Sequence, residues 1–183
     1  MSLSGAKTAL LVTEGFRDAL EIGTEHRFDL YDLDIEKPLP IVPRHLRRPV
    51  RERVLADGSL HTPVDLAQVK AQAQALLAAG CEAVCIFFIH GYANPANERA
   101  AAEVVRALWP NPHVTVASEV LPEIREFERC STATLNAALQ PVVGSYLERL
   151  EGDLRGQGFG GELLIVQSNG GVMSRQTACD VPV

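Results

Sequence analysis

Blocks of apolar residues alternate with amphipathic segments along the chain, and this pattern predicts short strands separated by helices. Residues 8–12 form one short apolar block. Residues 81–89 are apolar without alternation, which is typical of a strand covered on both faces. Residues 114–118 and 163–166 indicate two further short strands.

The segments between these blocks have helical spacing. Residues 63–79 predict an amphipathic helix with Asp65 in its first turn and Gly80 at its end. Its apolar stripe is Leu66, Val69, Ala73, Leu76 and Leu77. Residues 94–108 predict a second helix, and residues 16–23 a short one with Phe16, Leu20 and Ile22 inward.

Two local signals refine the picture. Pro141 lies within the helical pattern of residues 122–156 and cannot donate a backbone hydrogen bond, so we expect two helices or one kinked helix there. Asp57-Gly58 between residues 50–55 and 59–62 predicts a β-hairpin. Together the elements predict an α/β fold with a largely parallel or mixed sheet flanked by helices.

Composition and charge narrow the class of protein. The 183 residues are 46% hydrophobic and 22% charged, as in ordinary globular domains. A net charge of -6 argues against a nucleic-acid partner. No apolar run approaches the roughly 18 residues of a membrane span. A local basic run predicts a solvated loop or strand edge; its members are Arg44, Arg47, Arg48, Arg51 and Arg53.

The cysteines indicate a reducing compartment. Cys81 and Cys85 fall on one predicted strand, about 13 Å apart at ~3.3 Å per residue, which is too far for a disulfide. With Cys130 and Cys179, they are expected to be free thiols. A cytoplasmic protein fits this usage.

Polar residues follow four of the predicted strands, in segments 13–17, 90–92, 118–119 and 167–171. In open α/β sheets, ligands collect where strands end and helices begin. We therefore expect these four segments to share one rim and to line a cleft.

His90 directly follows an apolar strand, and a histidine in this position can have either of two roles. It can hydrogen-bond a loop carbonyl, or it can face a ligand and act as an acid or base. Asn94 and Glu98 are expected to cap and charge the following helix.

Acidic and basic residues are dense between positions 119 and 129. Glu126 and Arg129 have the spacing of a surface ion pair. Glu119 at a strand end and Arg125 one turn into a helix are candidates for holding a metal, a carboxylate substrate or a domain interface, and spacing does not choose among these. The turn at 168–171 offers backbone N–H groups for an anion, or close packing.

Taken in order, these motifs resemble the A subunit of the hydantoinase/oxoprolinase family over nearly the whole chain. The matching segments are GAKTALLVTEGFRD (5–18), LEIG (20–23), DLYDL (29–33), Pro38, Pro43-Arg44, Asp57-Gly58, His90, Asn94-Pro95, Glu98, Ser118-Glu119-Val120, Pro122-Glu123, Arg125-Glu126, Glu128-Arg129, Ser131-Thr132, Asn136, Pro141, Tyr146-Leu147 and QSNGG (167–171).

The resemblance implies an actin-like ATPase (ribonuclease H-like) architecture and an ATP-dependent enzyme. Members open cyclic amides such as N-methylhydantoin or 5-oxoproline, and others carboxylate acetone or acetophenone. The resemblance also implies ATP and a divalent metal such as Mg²⁺ as cofactors, with no metal ligands identified here, and a B-type subunit or domain as partner.

The chain lacks the family's glycine-rich phosphate loops of the D-x-G-G-T-x-T-D kind. We therefore expect an internal fragment that begins and ends inside its parent enzyme, is inactive alone and holds no bound cofactor. Residues 4–112 would belong to the N-terminal region of the family, without its first phosphate loop. Residues 113–183 would be the truncated start of the core domain.

These observations lead to one function hypothesis and two alternatives. The first is a fragment of an ATP-dependent cyclic-amide hydrolase, in which His90, Glu119 and Arg125 are candidate catalytic residues. The candidate cleft-binding residues are Glu14, Arg17, Asn169, Gly170 and Gly171. The alternatives are a subunit of an ATP-dependent ketone carboxylase and a non-catalytic α/β module that binds a small ligand.

Overall fold

The computed structural model describes residues 5–24, 31, 34, 38–167 and 170–183. Asn169 and most of the DLYDL segment therefore lie outside the described residues. The elements in chain order are β1 (Thr8–Thr13), α1 (Ala19–Ile22), a 3-10 turn (Arg44–Leu46), β2 (Arg47–Val50), β3 (Arg53–Val54), β4 (Leu60–Thr62), α2 (Leu66–Ala78), β5 (Ala83–Phe87), α3 (Ala96–Leu108), β6 (Val114–Val116), α4 (Ala117–Val120), α5 (Glu126–Gly156), β7 (Leu164–Val166), β8 (Val172–Ser174) and α6 (Arg175–Asp180).

A four-stranded parallel sheet forms the centre, in the order β2-β1-β5-β6. Every residue of β1 and β5 is buried, because helices α2, α3 and α5 pack around the two central strands. Continuous apolar runs are what such doubly covered strands require. The predicted α/β fold with a parallel sheet is confirmed.

The helices α2 and α3 lie close to their predicted positions. Asp65 is the N-cap of α2 rather than part of its first turn, and its side chain accepts a hydrogen bond from the backbone N–H of Gln68 at 2.9 Å. Of the predicted stripe, Val69, Ala73 and Leu76 are buried in the core. The capped N-terminus and the buried stripe explain why the local sequence was sufficient to predict the position of α2.

The predicted β3–β4 hairpin is also confirmed. The two strands pair antiparallel, and the Asp57 carboxylate accepts the backbone N–H of Ser59 at 2.9 Å. Gly58 has a φ of 82°, a left-handed conformation that glycine adopts without steric cost.

Helix α1 is shorter and more exposed than predicted. It covers only Ala19–Ile22 and has no buried residue, and Ile22 is 60% exposed. Phe16 is also at the surface, where its ring lies 5.0 Å from the guanidinium carbon of Arg53. The inward orientation predicted for Phe16 and Ile22 is therefore wrong, because four residues are too few to bury a face.

The basic run contains a strand, which agrees with the strand-edge alternative predicted for it. Residues 47–50 form β2, an edge strand of the central sheet, where Pro49 is tolerated. Arg47 is not solvated as predicted: its side chain is fully buried and donates from Nε to the carbonyl of Val42 at 2.8 Å. Its Nη2 lies 3.3 Å from Glu21 on α1.

Helix α5 runs unbroken through Pro141 for 31 residues, so the single-helix alternative is the one observed. It begins at Glu126 rather than residue 122, because Arg125 has a φ of 91° that a right-handed helix excludes. None of the helices in the described residues is long and apolar enough to cross a membrane.

The predicted strand at residues 163–166 is present as β7 but does not join the central sheet. It pairs antiparallel with β8, and Val166 is 69% exposed, so this apolar strand lies outside the buried core. The turn between β7 and β8 is too short for the crossover that parallel strands need.

We expect Leu76→Ala to lower the free energy of unfolding by about 2–5 kcal/mol, because it leaves a cavity in a closed core. Urea denaturation measures this. Leu66→Ala on the same helix is the matched control, since Leu66 is 44% exposed and its change should be much smaller. Equal losses for the two variants would contradict this account of the core.

Candidate active site

The carboxyl ends of β1, β5 and β6 lie at one edge of the parallel sheet. Thr13 is the last residue of β1, and the segments that follow β5 and β6 contain His90 and Ser118. The sequence analysis predicted this shared edge for these three segments, and the strand pairing places them together.

A buried ion pair ties this edge to two helices. Arg129 on α5 and Glu98 on α3 both have fully buried side chains, and Arg129 Nη2 lies 3.1 Å from Glu98 Oε1. The Glu98 carboxylate also accepts the backbone N–H groups of Phe88 and Ser118, each at 2.8 Å. One carboxylate therefore joins the ends of β5 and β6 to α3 and α5.

The sequence analysis did not anticipate this pair. Glu98 was expected to charge the start of a helix, and Arg129 to form a surface pair with Glu126. Both expectations are wrong about burial, although Arg129 Nη1 does lie 2.8 Å from Glu126 Oε2. Burial raises the pKa of Glu98, while Arg129 and the two N–H donors act in the opposite direction.

Gly91 fits against the ion pair because it has no side chain. A Cβ at this position would lie 2.5 Å from Glu98 Oε1 and 2.9 Å from Arg129 Nη2. Neither contact is sterically possible without movement of the buried charges. The glycine in the His90-Gly91 segment therefore lets the chain turn directly above the ion pair.

His90 leaves the strand with a φ of 58°, which is uncommon for a residue other than glycine. Its backbone N–H donates to Glu126 Oε1 at 2.9 Å, and its Nδ1 lies 3.5 Å from the same oxygen without hydrogen-bond geometry. The ring stands edge-on to Tyr92, and 23% of the side chain is exposed. The buried side of the imidazole thus faces a carboxylate.

A second buried network lies beside the first. Thr13 Oγ1 accepts the backbone N–H of Ile89 at 2.9 Å and donates to Glu52 Oε1. Asn97 Nδ2 donates to Glu52 Oε2 at 2.8 Å. Burial raises the pKa of Glu52, and these two hydrogen bonds oppose the shift.

The sequence analysis did not identify Glu52 as a site residue. It lies between two arginines in a segment that reads as a charged surface strand, so it carried no local signal. The sequence offered only weak signals for the other two residues: Thr13 is a polar residue at the end of a strand, and Asn97 is a polar residue at the start of a helix.

Glu119 and Arg125 lie beside the network rather than in it. Glu119 falls on the short helix α4, not at the strand end as expected, and its carboxylate lies 2.8 Å from Arg106. Arg125 is 75% exposed and lies 3.6 Å from Glu128. Each is adjacent in sequence to a residue whose atoms contact the network, Ser118 and Glu126 respectively.

Glu14 and Arg17 follow β1 at the same edge of the sheet. Glu14 is exposed, and its backbone N–H donates to the carbonyl of Val50 at 2.9 Å. Arg17 is partly buried, and its Nε has no hydrogen-bond partner among the residues that the structure describes.

The fourth predicted rim segment belongs to the separate β7–β8 hairpin. Gly170 has a φ of 87° and donates to the carbonyl of Gln167 at 2.9 Å, and the carbonyl of Gly171 accepts from Gln167. The expected rim of the central sheet therefore contains three of the four segments. Asn169 lies outside the described residues.

The described residues do not by themselves form a metal site. The part of the chain that the structure covers brings together no group of three His, Cys, Asp or Glu side chains suited to a metal ion. Glu52 and Glu98 each accept hydrogen bonds from protein donors through both oxygens. No chemical step involving ATP or a metal is therefore assigned to these side chains.

The four cysteines are free, as predicted, and three of them are buried. Burial raises the pKa of Cys85 far above its usual range and that of Cys130 to about 12. Thiols with such pKa values hold their protons at neutral pH, so neither is a nucleophile.

Comparisons with known proteins match the chain to one family in two segments. The family described as "Hydantoinase/oxoprolinase N-terminal region" matches residues 2–109, and the family described as "Hydantoinase/oxoprolinase" matches residues 129–183.

Three relatives illustrate the range of the family. The caprolactamase subunit alpha of Pseudomonas jessenii is 39% identical over 92% of this chain and 25% of its own length. The acetophenone carboxylase gamma subunit of Aromatoleum aromaticum is 30% identical over 91% of this chain and 25% of its own length. The 5-oxoprolinase of Saccharomyces cerevisiae is 26% identical over 93% of this chain and 15% of its own length.

The fold is shared as well as the sequence. The crystal structure of the ATP-dependent caprolactamase from Pseudomonas jessenii matches with a TM-score of 0.86 over 92% of this chain and 25% of that one. The fold therefore fits the actin-like architecture that the resemblance implies. The chain spans a quarter or less of the length of these relatives.

We predict that Glu52→Gln changes how stability depends on pH. The folded-state pKa of Glu52 is raised above its ordinary value of 4.5, so its contribution to stability is complete below that pH and is lost as pH rises through the folded-state pKa. The glutamine variant lacks this loss. The free energy of unfolding of the wild type minus that of the variant should therefore fall as the pH rises above the ordinary value of 4.5 and through the raised folded-state pKa.

Urea denaturation at several pH values measures this difference, and Glu103→Gln, which removes an exposed carboxylate from α3, is the control. A Glu52→Gln difference that rises with pH, or stays constant, would show that burial does not dominate the titration of Glu52.

Proposed function

The chain belongs to the hydantoinase/oxoprolinase family, and from this we propose that it forms part of an ATP-dependent enzyme that hydrolyses cyclic amides. The observation that carries the proposal is the chemistry named by two relatives. Caprolactam and 5-oxoproline, the compounds in the names of the caprolactamase and the 5-oxoprolinase, are both cyclic amides. The 39% identity and the TM-score of 0.86 support the first of these as a guide.

We propose that ATP and a divalent metal such as Mg²⁺ serve the longer enzyme and are held mainly by residues outside this chain. The caprolactamase of known structure is ATP-dependent. Phosphoryl transfer needs backbone amides and a metal around the phosphates. The sequence lacks the family's glycine-rich phosphate loops, and the described residues bring together no group of metal-ligating side chains. The partner would be a B-type subunit or domain, since the caprolactamase relative is itself named as an alpha subunit.

Within this chain, we assign the substrate-facing role to the carboxyl edge of the central sheet. His90 is proposed to transfer a proton, since its ring is partly exposed and its other side faces Glu126. Arg125 is exposed and is proposed to hold an anionic substrate or intermediate through its planar guanidinium. Glu119 would line the same cleft.

The cleft-binding role proposed for the other five residues follows from their positions. Glu14 and Arg17 lie after β1 at the same edge of the sheet, and this position supports their assignment to the cleft. Asn169, Gly170 and Gly171 are proposed to form a wall contributed by the β7–β8 turn.

The division of the chain into 4–112 and 113–183 also stays a proposal, as does a cytoplasmic location, which the free cysteines support.

A ketone carboxylase subunit is the second candidate. The 30% identity to the acetophenone carboxylase gamma subunit favours it. The two candidates differ in the second reactant, because a hydrolase adds water to an amide and a carboxylase adds bicarbonate-derived carbon to a ketone.

We expect the longer protein, purified with its partner subunit, to release phosphate from ATP when a cyclic amide is added. The assay would test caprolactam, hydantoins and 5-oxoproline one at a time, with detection of the ring-opened amino acid. Acetone and acetophenone with bicarbonate form the second arm. Phosphate release that depends on a ketone and bicarbonate, and on no cyclic amide, would replace the hydrolase with the carboxylase. Absence of ATP binding by calorimetry would favour a non-catalytic ligand-binding module.

We expect the 183-residue chain alone not to hydrolyse ATP, because it lacks phosphate-cradling glycine loops. A phosphate-release assay on the pure chain should match buffer, and the longer protein with its partner is the positive control. Steady release that EDTA abolishes would contradict this expectation.

A further inference from the structure

Two strained backbone positions meet at one carboxylate. Among the described residues, His90 and Arg125 are the two non-glycine residues with positive φ, at 58° and 91°. Arg125 directly precedes Glu126, and Glu126 Oε1 accepts the backbone N–H of His90 at 2.9 Å. Such conformations persist where surrounding contacts hold them, and they concentrate at functional sites.

The contacts that hold Glu126 are buried and charged. Its Oε2 lies 2.8 Å from Arg129 Nη1, and Arg129 Nη2 lies 3.1 Å from the buried Glu98. Arg129 Nη1 also donates to the carbonyl of Phe88 at 3.2 Å. The Arg129 guanidinium is fixed by these contacts and has no exposed side-chain surface. A side chain anchored in this way can hold Glu126 in one orientation.

Glu126 lies beside one of the two ring nitrogens of His90 and so makes their surroundings different. Nδ1 is buried and lies 3.5 Å from Glu126 Oε1, whereas the ring is 23% exposed as a whole. Nδ1 is buried beside the carboxylate, which leaves Nε2 as the ring nitrogen for proton exchange with a substrate. A carboxylate beside Nδ1 favours the tautomer with the proton on Nδ1, in which Nε2 carries the lone pair that can accept a proton.

We propose that Glu126 is the positioning residue of His90, and that the buried Arg129–Glu98 pair is the anchor that fixes Glu126. In this arrangement His90 Nε2 accepts a proton from the attacking water or another substrate group and later returns it to the departing group or to solvent. This proposal rests on the proposed function, because it assigns the chemistry of His90 within that enzyme. Gly91 belongs to the same unit, since any larger residue would displace the ion pair.

Glu126→Gln is the informative change because it preserves size. The carboxylate accepts from two donors, the His90 backbone N–H through Oε1 and Arg129 Nη1 through Oε2. A glutamine amide has one acceptor oxygen, so its NH₂ group must face one of these donors. Glu148→Gln is the matched control, as an exposed glutamate on the same helix.

The first experiment measures kinetics on the longer protein with its partner subunit. We expect Glu126→Gln and His90→Asn each to lower kcat for cyclic-amide-dependent phosphate release by roughly 100-fold, with KM for ATP changed by less than about twofold. The double variant should be no slower than His90→Asn, because residues that act as one unit are not additive. Glu148→Gln should retain wild-type kcat.

The second experiment does not depend on activity. The 183-residue chain has five histidines, so ¹⁵N ring spectra of histidine-labelled protein can be assigned by substitution. At a pH where the ring is neutral, we expect His90 to carry its proton on Nδ1 in the wild type. Glu126→Gln should shift it toward Nε2, and Glu148→Gln should not. Glu126→Asp keeps the charge beside Arg129 but is one methylene shorter, which withdraws the carboxylate from Nδ1. It should shift the tautomer in the same direction and is measured in parallel in case the glutamine variant does not fold.

The outcomes separate the two proposals. An unchanged His90 tautomer in folded Glu126→Gln or Glu126→Asp would overturn the positioning role. A kcat lost in His90→Asn but kept in Glu126→Gln would overturn it too, while leaving His90 in the reaction. A tautomer shift in a protein that turns over no cyclic amide would support the positioning role and overturn the proposed hydrolase function.

Discussion

The Arg129–Glu98 ion pair is the constraint on which the functional edge of this molecule depends. Its two charges are fully buried, and removing one partner of such a pair typically costs about 3–5 kcal/mol because the other charge is left unpaired. The carboxylate holds the backbone after β5 and β6, and the guanidinium holds the start of α5. The fold cannot shift these elements independently without exposing or separating the two charges.

This constraint connects packing to chemistry. Apolar strands β1 and β5 supply the rigid layer, and the polar groups that follow them are fixed by the ion pair on one side and by Glu52 on the other. Rigid surroundings allow His90 to keep a left-handed backbone conformation that a mobile loop would relax. A partly exposed imidazole beside an anchored carboxylate is the result, and it suits proton transfer in a ring-opening hydrolase.

Two peripheral elements differ from the buried parts of the fold. The β7–β8 hairpin and helix α1 are short and largely exposed, and they contribute little to the central core. An isolated two-stranded hairpin has marginal stability in water.

Local sequence by itself determined the central strands, helices α2 and α3, the β3–β4 hairpin and the presence of polar groups after the strands, because periodicity and turn chemistry act over a few residues. Only the tertiary structure decided which charges are buried. Glu126 and Arg129 have the same spacing whether they lie at the surface or inside, and Arg129 meets Glu98 across 31 positions of sequence. The strand at 163–166 likewise left the central sheet because its nearest partner follows a short turn. Pairings between distant residues are set by how helices pack on the sheet, which residue spacing does not encode.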